Sequence, residues 1–199
     1  MDKALLLWIN HSWANHGLDF FFDTLSSQRG FALPLAAVLL LLFIWRWRKA
    51  GVQLWLVMLL VAGLGDFMGN HLKHVFAQHR PCYTLAAQVR QLHYAPGQAC
   101  GASLTGMPSN HALNGFTIAA FLTLVLRRRA WSITLFTIAA LVALSRVYLA
   151  KHYPSQIAVG ALLGTTWGLI AAWLGLKYLP FMQRFREQGA AENPKYDQD

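Results

Sequence analysis

The chain has 199 residues, of which 56% are apolar and only 13% are charged, and its formal net charge at pH 7 is +9. Soluble domains contain roughly a quarter charged residues, so the composition argues against a soluble enzyme and favours a chain surrounded by lipid. The length suits one domain, and we predict an embedded domain over residues 1–188 with a disordered cytoplasmic tail over residues 189–199.

The predicted elements begin with residues 4–13, an apolar segment with scattered polar residues. We interpret it as a helix in the outer membrane interface, with a sixth membrane span as the alternative. Five apolar stretches follow, at residues 31–45, 52–68, 112–126, 131–149 and 157–176. Each approaches the roughly 20 residues with which a helix crosses a bilayer. The sequence therefore predicts an all-α integral membrane helical bundle with about five transmembrane helices, because a soluble bundle of five such stretches would leave little polar surface for water.

Basic residues set the expected orientation of these spans. Three clusters lie between or after the stretches: Arg46, Arg48 and Lys49; Arg127, Arg128 and Arg129; and Lys177, Arg184 and Arg186. Alternating spans place all three clusters on the same side, and basic loops favour the cytoplasm. We therefore expect the loops at residues 71–108 and 151–156 to face outward from the plasma (inner) membrane.

Carboxylates are missing from the central part of the chain. No Asp or Glu occurs from residue 67 to residue 186, a segment that contains eleven Lys and Arg residues. Magnesium and calcium sites need oxygen ligands, mainly carboxylates, so the sequence disfavours a two-metal phosphatase or a carboxylate acid–base pair. We expect neither a metal nor a cofactor. His71 and His74 could share a metal, but we favour an interfacial role for them, and we favour a structural role for Asp66.

Four cationic residues are expected at the outward ends of helices: Lys73, Arg80, Arg146 and Lys151. Basic residues near a membrane are costly unless they have a role there, and no carboxylate is available in this segment to pair with them. Arginine binds phosphate oxygens in a bidentate manner and lysine acts as a point charge. An external anion is therefore the natural partner of this group.

Two histidines are expected at the same level as these cations. His111 follows Pro108, Ser109 and Asn110 at the start of the third stretch. His152 stands just before Pro154 at the start of the fifth stretch. Unpaired N–H groups at helix N-termini favour anions, so the two histidines are placed to act on a bound anion.

Taken together, these residues form three motifs in order. The motifs are Lys73, six residues, then Arg80-Pro81; Pro108-Ser109-Asn110-His111; and Arg146, five residues, then His152. This order and spacing resembles the three-part signature of the type 2 phosphatidic acid phosphatase superfamily, which includes bacterial undecaprenyl-diphosphate phosphatases and vanadium haloperoxidases. The resemblance covers residues 73–156.

The resemblance implies a role for each matching residue. The implied phosphate-binding set is Lys73, Arg80, Ser109, Asn110 and Arg146. His152 would attack phosphorus and form a phosphohistidine. His111 would protonate the leaving oxygen and then activate water. The resemblance also implies that the reaction needs no metal.

Two positions depart from the family pattern. The family usually has glycine where Asn110 stands, and aspartate where Gln156 stands. The aspartate orients the nucleophilic histidine and stabilises its cation, whereas Gln156 can accept a hydrogen bond but brings no charge. We therefore expect a working but slower enzyme in which Gln156 supports His152.

The predicted function is metal-independent hydrolysis of a lipid phosphate or an isoprenoid lipid diphosphate. Candidate substrates are undecaprenyl diphosphate, phosphatidic acid and phosphatidylglycerophosphate, with a lipid A phosphatase or phosphotransferase as a related alternative. A non-catalytic lipid-phosphate binder and an anion transporter are the alternatives from other classes. The expected partners are the lipid substrate and membrane lipids, and no nucleic acid.

The two cysteines, Cys82 and Cys100, both lie in the long outward loop. Disulfides persist in oxidising compartments, so a Cys82–Cys100 disulfide is the favoured interpretation. Two unpaired small apolar residues are the alternative.

Overall fold

The computed structural model describes residues 1–192, apart from the side chains of residues 190 and 192, and every regular element in that range is helical. The helices are α1 (Asp2–Ser12), α2 (His16–Ser26), α3 (Leu33–Trp47), α4 (Lys49–Phe76), α5 (Pro81–Thr84), α6 (Asn110–Leu126), α7 (Arg129–Tyr148), α8 (Pro154–Tyr178) and α9 (Pro180–Glu192). A π-helical turn, Gln28–Ala32, leads directly into α3.

Four helical segments are long and apolar enough to cross a membrane: Gln28–Trp47, Lys49–Phe76, Arg129–Tyr148 and Pro154–Tyr178. The fifth apolar helix, α6, has 17 residues and is about 25 Å long at 1.5 Å per residue. It is buried along most of its length and packs against α4, α7 and α8. The predicted all-α membrane bundle is confirmed, and α6 is its central helix.

The N-terminal segment forms two helices, α1 and α2, of 11 residues each. Each is about 16 Å long, which is too short to cross a bilayer. The structure therefore fits the interfacial interpretation of residues 4–13 better than a sixth span. The sequence analysis missed α2, although Asn15 marks its start by accepting a hydrogen bond from the backbone N–H of Leu18 at 2.9 Å.

Buried polar contacts hold the N-terminal helices against the C-terminal end of α7. The side chain of Asn10, fully buried, donates to the carbonyl oxygens of Tyr148 at 2.7 Å and Arg90 at 3.0 Å. The guanidinium of Arg90 donates to both carboxylate oxygens of Asp19, at 2.7 and 3.0 Å, and to the Tyr148 hydroxyl. Arg90, in the loop between α5 and α6, is therefore a structural link between α2 and α7.

The C-terminal boundary of the bundle lies further along the chain than predicted. Helix α9 continues to Glu192, so residues 189–192, predicted to be disordered, extend a helix instead. Gly189 lies directly against the carbonyl of Leu126 at the end of α6, where no side chain would fit. The remainder of the predicted tail, residues 193–199, lies outside the described residues.

The favoured pairing of the two cysteines is present in the structure. Cys82 and Cys100 form a disulfide with a Cα–Cα distance of 5.5 Å, and both residues are buried. The backbone N–H of Cys100 also donates to the carbonyl oxygen of Cys82 at 3.2 Å. The disulfide closes part of the loop between α4 and α6, beginning two residues after Arg80.

The closest helix–helix approach that positions the site is between α6 and α8. Gly160, Gly164 and Gly168 lie on the face of α8 that meets α6. A Cβ on Gly160 would lie 2.6 Å from the Ser109 carbonyl oxygen, and at the other two positions it would overlap backbone carbonyls of α6 more closely still. Small residues at four-residue spacing permit such backbone contact in membrane helices, so the two helices are in direct backbone contact.

We predict that Gly164→Ala separates α6 from α8. The added methyl group would overlap the Leu113 carbonyl, and forced overpacking typically costs about 1–3 kcal/mol. The variant should melt at a lower temperature in detergent and lose phosphatase activity. Gly63→Ala is the matched control, because a Cβ on Gly63 meets nothing within 4 Å. Equal melting temperatures for the two variants would contradict the prediction.

Candidate active site

One cavity of about 420 Å³ opens at the end of the bundle where α4 and α7 end and α6 and α8 begin. Six of the eight predicted site residues line it: Lys73, Arg80, Asn110, His111, Arg146 and His152. The remaining two, Ser109 and Gln156, are buried behind this lining. The helix ends on this side of the bundle therefore bring the three sequence motifs around one space.

Local backbone geometry carries His152 from the end of α7 into the cavity wall. Arg146 lies in the last turn of α7, and its carbonyl oxygen accepts from the backbone N–H groups of Lys151 at 2.8 Å and His152 at 3.1 Å. Ala150 adopts a left-handed conformation with φ 54°, which reverses the chain there. This turn places His152 beside Arg146.

His152 is held by two acceptors at one ring nitrogen. Its Nδ1 lies 2.8 Å from the carbonyl oxygen of Gly106 and 3.3 Å from Oε1 of Gln156. Because both partners only accept hydrogen bonds, Nδ1 carries the proton and Nε2 keeps its lone pair in the neutral ring. Burial, followed by the charges of Arg146 and Arg80, lowers the pKa of His152 well below its usual value. The ring is therefore neutral and able to act as a nucleophile.

Gln156 lies behind His152 with a fixed amide orientation. Its Oε1 accepts from the backbone N–H of Tyr153 at 3.1 Å, and its Nε2 donates to the carbonyl oxygen of His79 at 3.0 Å. These two partners require the oxygen to face His152. The shorter contact of His152, however, is to the carbonyl oxygen of Gly106, so this backbone group contributes most to orienting the imidazole ring.

Gly106 is a site residue that the sequence analysis missed. A Cβ at this position would lie 2.6 Å from Nε2 of Gln156 and 2.7 Å from the His79 carbonyl oxygen. Its backbone N–H donates to the carbonyl oxygen of Gln78 at 2.7 Å. Only glycine fits between these groups, and its place two residues before Pro108 was the available sequence signal.

The cationic side chains of the cavity retain unused donors. Within residues 1–192, Lys73, Arg80 and Arg146 form no ion pair with a carboxylate. The Nε atoms of Arg80 and Arg146 are buried and have no hydrogen-bond partner in the described part of the chain. An unpaired buried charge is costly, so a phosphate in the cavity would complete this group.

A residue of α2 contacts both His111 and Arg146. Nε2 of His111 lies 3.3 Å from the carbonyl oxygen of Ser26, which can only accept, so this nitrogen carries a proton. The guanidinium of Arg146 donates to the hydroxyl of Ser26. The sequence analysis did not identify Ser26, because α2, which ends at this residue, was itself missed.

The backbone of Ser109 and the side chains of His71 and His93 bond to other protein groups. Ser109 donates its backbone N–H to the carbonyl oxygen of Gln156 at 3.1 Å, while its Oγ is buried without a partner among the described residues. Its donation to phosphate stays a prediction. His71 contacts the Phe67 carbonyl at 3.1 Å, and His93 contacts Asp23 at 2.7 Å. No group of three or more metal-binding side chains occurs in the described part of the chain.

Comparison with known proteins agrees with this geometry. The family model described as the PAP2 superfamily matches residues 50–179. The chain belongs to this family. The type 2 phosphatidic acid phosphatase assignment made from the three motifs is therefore confirmed, and the protein is a phosphoric-ester hydrolase of the membrane.

Individual relatives cover most of the chain. The lipid A 4'-phosphatase of Bacteroides thetaiotaomicron is 26% identical over 188 residues, which is 92% of this chain and 80% of the relative. The crystal structure of Aquifex aeolicus LpxE superposes with a TM-score of 0.66 and 28% identity, covering 89% of this chain and 95% of that one. A transmembrane PAP2-type phosphatidylglycerolphosphate phosphatase from Bacillus subtilis superposes with a TM-score of 0.63 and 21% identity, covering 88% and 87%, and supports the fold alone.

We predict that Gln156→Asp moves the acidic limb of the pH–rate profile upward. A carboxylate beside Nδ1 of His152 would favour the protonated ring and raise its pKa by about one unit, so the neutral nucleophile would be lost at a higher pH. The profile of kcat/KM between pH 4 and 9 measures this shift. Substrate ionisation is common to both enzymes and cancels in the comparison.

Gln91→Asp is the control for this prediction, because it adds the same charge in the outer loop, where Gln91 contacts Gln98. Its acidic limb should match that of the wild type. Coincident limbs for Gln156→Asp and the wild type would show that His152 does not act as a neutral base or nucleophile.

Proposed function

We propose that this PAP2 enzyme removes a phosphate from a membrane phospholipid or phosphoglycolipid through a phosphohistidine at His152, with a lipid A phosphate as the leading candidate. The observation that carries the proposal is the cavity itself. One end has three cations and two histidines, and the other end is an apolar groove within the helical bundle. A phosphate and an attached lipid chain would occupy these two ends together.

The proposed reaction proceeds in two displacement steps. Nε2 of His152 attacks phosphorus and the bond to the lipid oxygen breaks. His111, held as the imidazolium in the substrate complex by the negative charge of the phosphate, gives that oxygen a proton. A water molecule then attacks the phosphohistidine and loses its proton to His111, which frees His152 and inorganic phosphate. Lys73, Arg80 and Arg146 would stabilise the negative charge in both transition states.

The apolar groove supports a lipid substrate. Along α7 it is lined by Val142, Ala139 and Leu135, which continue from Arg146 on one helical face. The separation of 11 positions between Leu135 and Arg146 corresponds to about 16 Å at 1.5 Å per residue. Leu35 and Leu39 of α3 line the opposite wall, so this length of alkyl chain would be enclosed between α3 and α7.

The choice of lipid A as the leading substrate is supported by the relatives and not by the cavity alone. The Bacteroides relative is named for a lipid A phosphate, and it covers nearly the whole chain. Undecaprenyl diphosphate, phosphatidic acid and phosphatidylglycerophosphate share the same phosphate chemistry and are tested beside it. The basic loops at the opposite end support an outward-facing site on the plasma (inner) membrane, with substrate drawn from the outer leaflet.

We predict phosphate release from a lipid A phosphate at a higher kcat/KM than from the other three lipids. The assay uses the purified full chain in detergent, with and without a chelator of divalent cations. Because the proposed machinery consists of histidines, lysine and arginines, activity should persist in the chelator. Activity lost to chelation and restored by a divalent metal would contradict the proposed mechanism.

Variants at the two histidines connect this activity to the cavity. His152→Ala and His111→Ala should each lower the rate by at least about 100-fold, and His93→Ala in the outer loop is the matched control. If the wild type binds all four lipids but releases no phosphate, the chain is a binder. Anion flux through proteoliposomes without turnover would instead indicate a transporter.

We predict that Val142→Trp blocks the groove beneath the cations. The larger ring would exclude about 60 Å² of apolar lipid contact, so KM for a lipid phosphate should rise about tenfold. The rate with p-nitrophenyl phosphate, which lacks a lipid chain, should change much less. Ile133→Trp is the control, because Ile133 lies on the same helix with 58% of its surface exposed. Equal effects on both substrates would exclude the groove as a lipid site.

A further inference from the structure

Asp66 is the only carboxylate that lines the active-site cavity within residues 1–192. Its Oδ1 accepts from the side-chain amides of Asn110 at 2.8 Å and Asn114 at 2.9 Å. Its Oδ2 accepts from the amide of Asn70 at 3.0 Å. Within the described residues, the half-buried carboxylate of Asp66 therefore accepts hydrogen bonds from three neutral amides and from no cation.

Asn70 connects this carboxylate to a cation of the phosphate site. Its side-chain oxygen accepts from Nζ of Lys73 at 3.3 Å and from Nδ2 of Asn110 at 2.8 Å. Asp66, Asn70 and Lys73 follow one another at spacings of four and three residues on α4, so they share one face of the helix. The three side chains form a continuous chain of hydrogen bonds that ends in the cavity.

The direction of these hydrogen bonds is set at Asp66. An ionised carboxylate only accepts, so Asn70 must present its NH₂ group to Asp66 and its oxygen to Lys73. A neutral amide at position 66 could offer an NH₂ group instead, and Asn70 could then rotate and turn its own NH₂ group toward the ammonium. The charge on Asp66 therefore decides whether Lys73 has an acceptor.

The amide between the two charges has an electrostatic consequence. A direct Asp66–Lys73 ion pair would neutralise the ammonium and weaken its attraction for phosphate. Asn70 instead fixes the position of the ammonium through a neutral oxygen, so its positive charge remains available. The arrangement therefore positions the ammonium of Lys73 without neutralising its charge.

The same network holds Asn110 against α4. Gly69 makes room for it, because a Cβ there would lie 2.7 Å from Oδ1 of Asn110. The Asn110 side chain, which stands where the family pattern has glycine, is thereby held by Asp66 and Asn70.

We propose that Asp66 is a positioning residue for the phosphate site and acts on Lys73 through the amide of Asn70. The inference rests on the phosphate-binding role of Lys73 in the proposed function. It assigns the carboxylate neither a proton-transfer role nor a metal.

The test measures two quantities on the full chain in detergent: kcat/KM for a lipid phosphate and the dissociation constant of inorganic phosphate. Asp66→Asn and Asn70→Leu should each weaken phosphate binding about tenfold, the size expected for one lost hydrogen bond to a charged group. Lys73→Met removes the ammonium group at the end of this series of hydrogen bonds. Adding Asp66→Asn or Asn70→Leu to Lys73→Met should weaken binding no further, because the residue on which they act is gone.

Glu187→Gln is the control, since Glu187 is an exposed carboxylate on α9 and does not line the cavity. The phosphate affinity of this variant should stay within twofold of that of the wild type. Additive effects of Asp66→Asn and Lys73→Met would overturn the proposal. So would a loss of folded protein in both the Asp66 and Asn70 variants, which would make the network purely structural. A wild type that neither binds nor releases phosphate refutes the proposed function instead.

Discussion

Backbone contact between α6 and α8 is the constraint on which the site depends. Three glycines of α8 let the two helices meet without side chains between them. The contact is reinforced at the site by the hydrogen bond from Ser109 to the Gln156 carbonyl, and at mid-helix by Thr117, which donates to the Gly164 carbonyl. Since the proposed acid and nucleophile lie at the starts of these helices, their relative position follows from this packing.

The cavity is positively charged because neutral groups, and not carboxylates, contact its cations in the described part of the chain. Arg80 and Arg146 have no carboxylate partner within residues 1–192, and they favour the neutral form of His152. The backbone carbonyl of Gly106 and the amide oxygen of Gln156 then hold the ring without adding charge. A neutral glutamine is consistent with this arrangement because a backbone carbonyl already makes the shorter hydrogen bond to the histidine.

The segment before residue 50, which lies outside the family match, contributes to both ends of the cavity. Ser26 contacts His111 and Arg146 at the polar end, and α3 lines the apolar groove. The Asn10 and Arg90 contacts secure this segment to α7. Residues outside the three motifs thus complete the space in which phosphate and lipid chain would lie.

The sequence by itself determined the membrane bundle, the family and six of the residues that line the cavity. Hydropathy depends on local composition, and the three motifs carry their chemistry at fixed spacing, so both are readable without coordinates. Only the tertiary structure identified Gly106, Ser26 and the Asp66–Asn70–Lys73 chain, because these contacts join residues distant in sequence or depend on the direction of side-chain amides. The sequence analysis ended the bundle at residue 188 for the same reason, since Gly189 of α9 packs against Leu126 in a long-range contact.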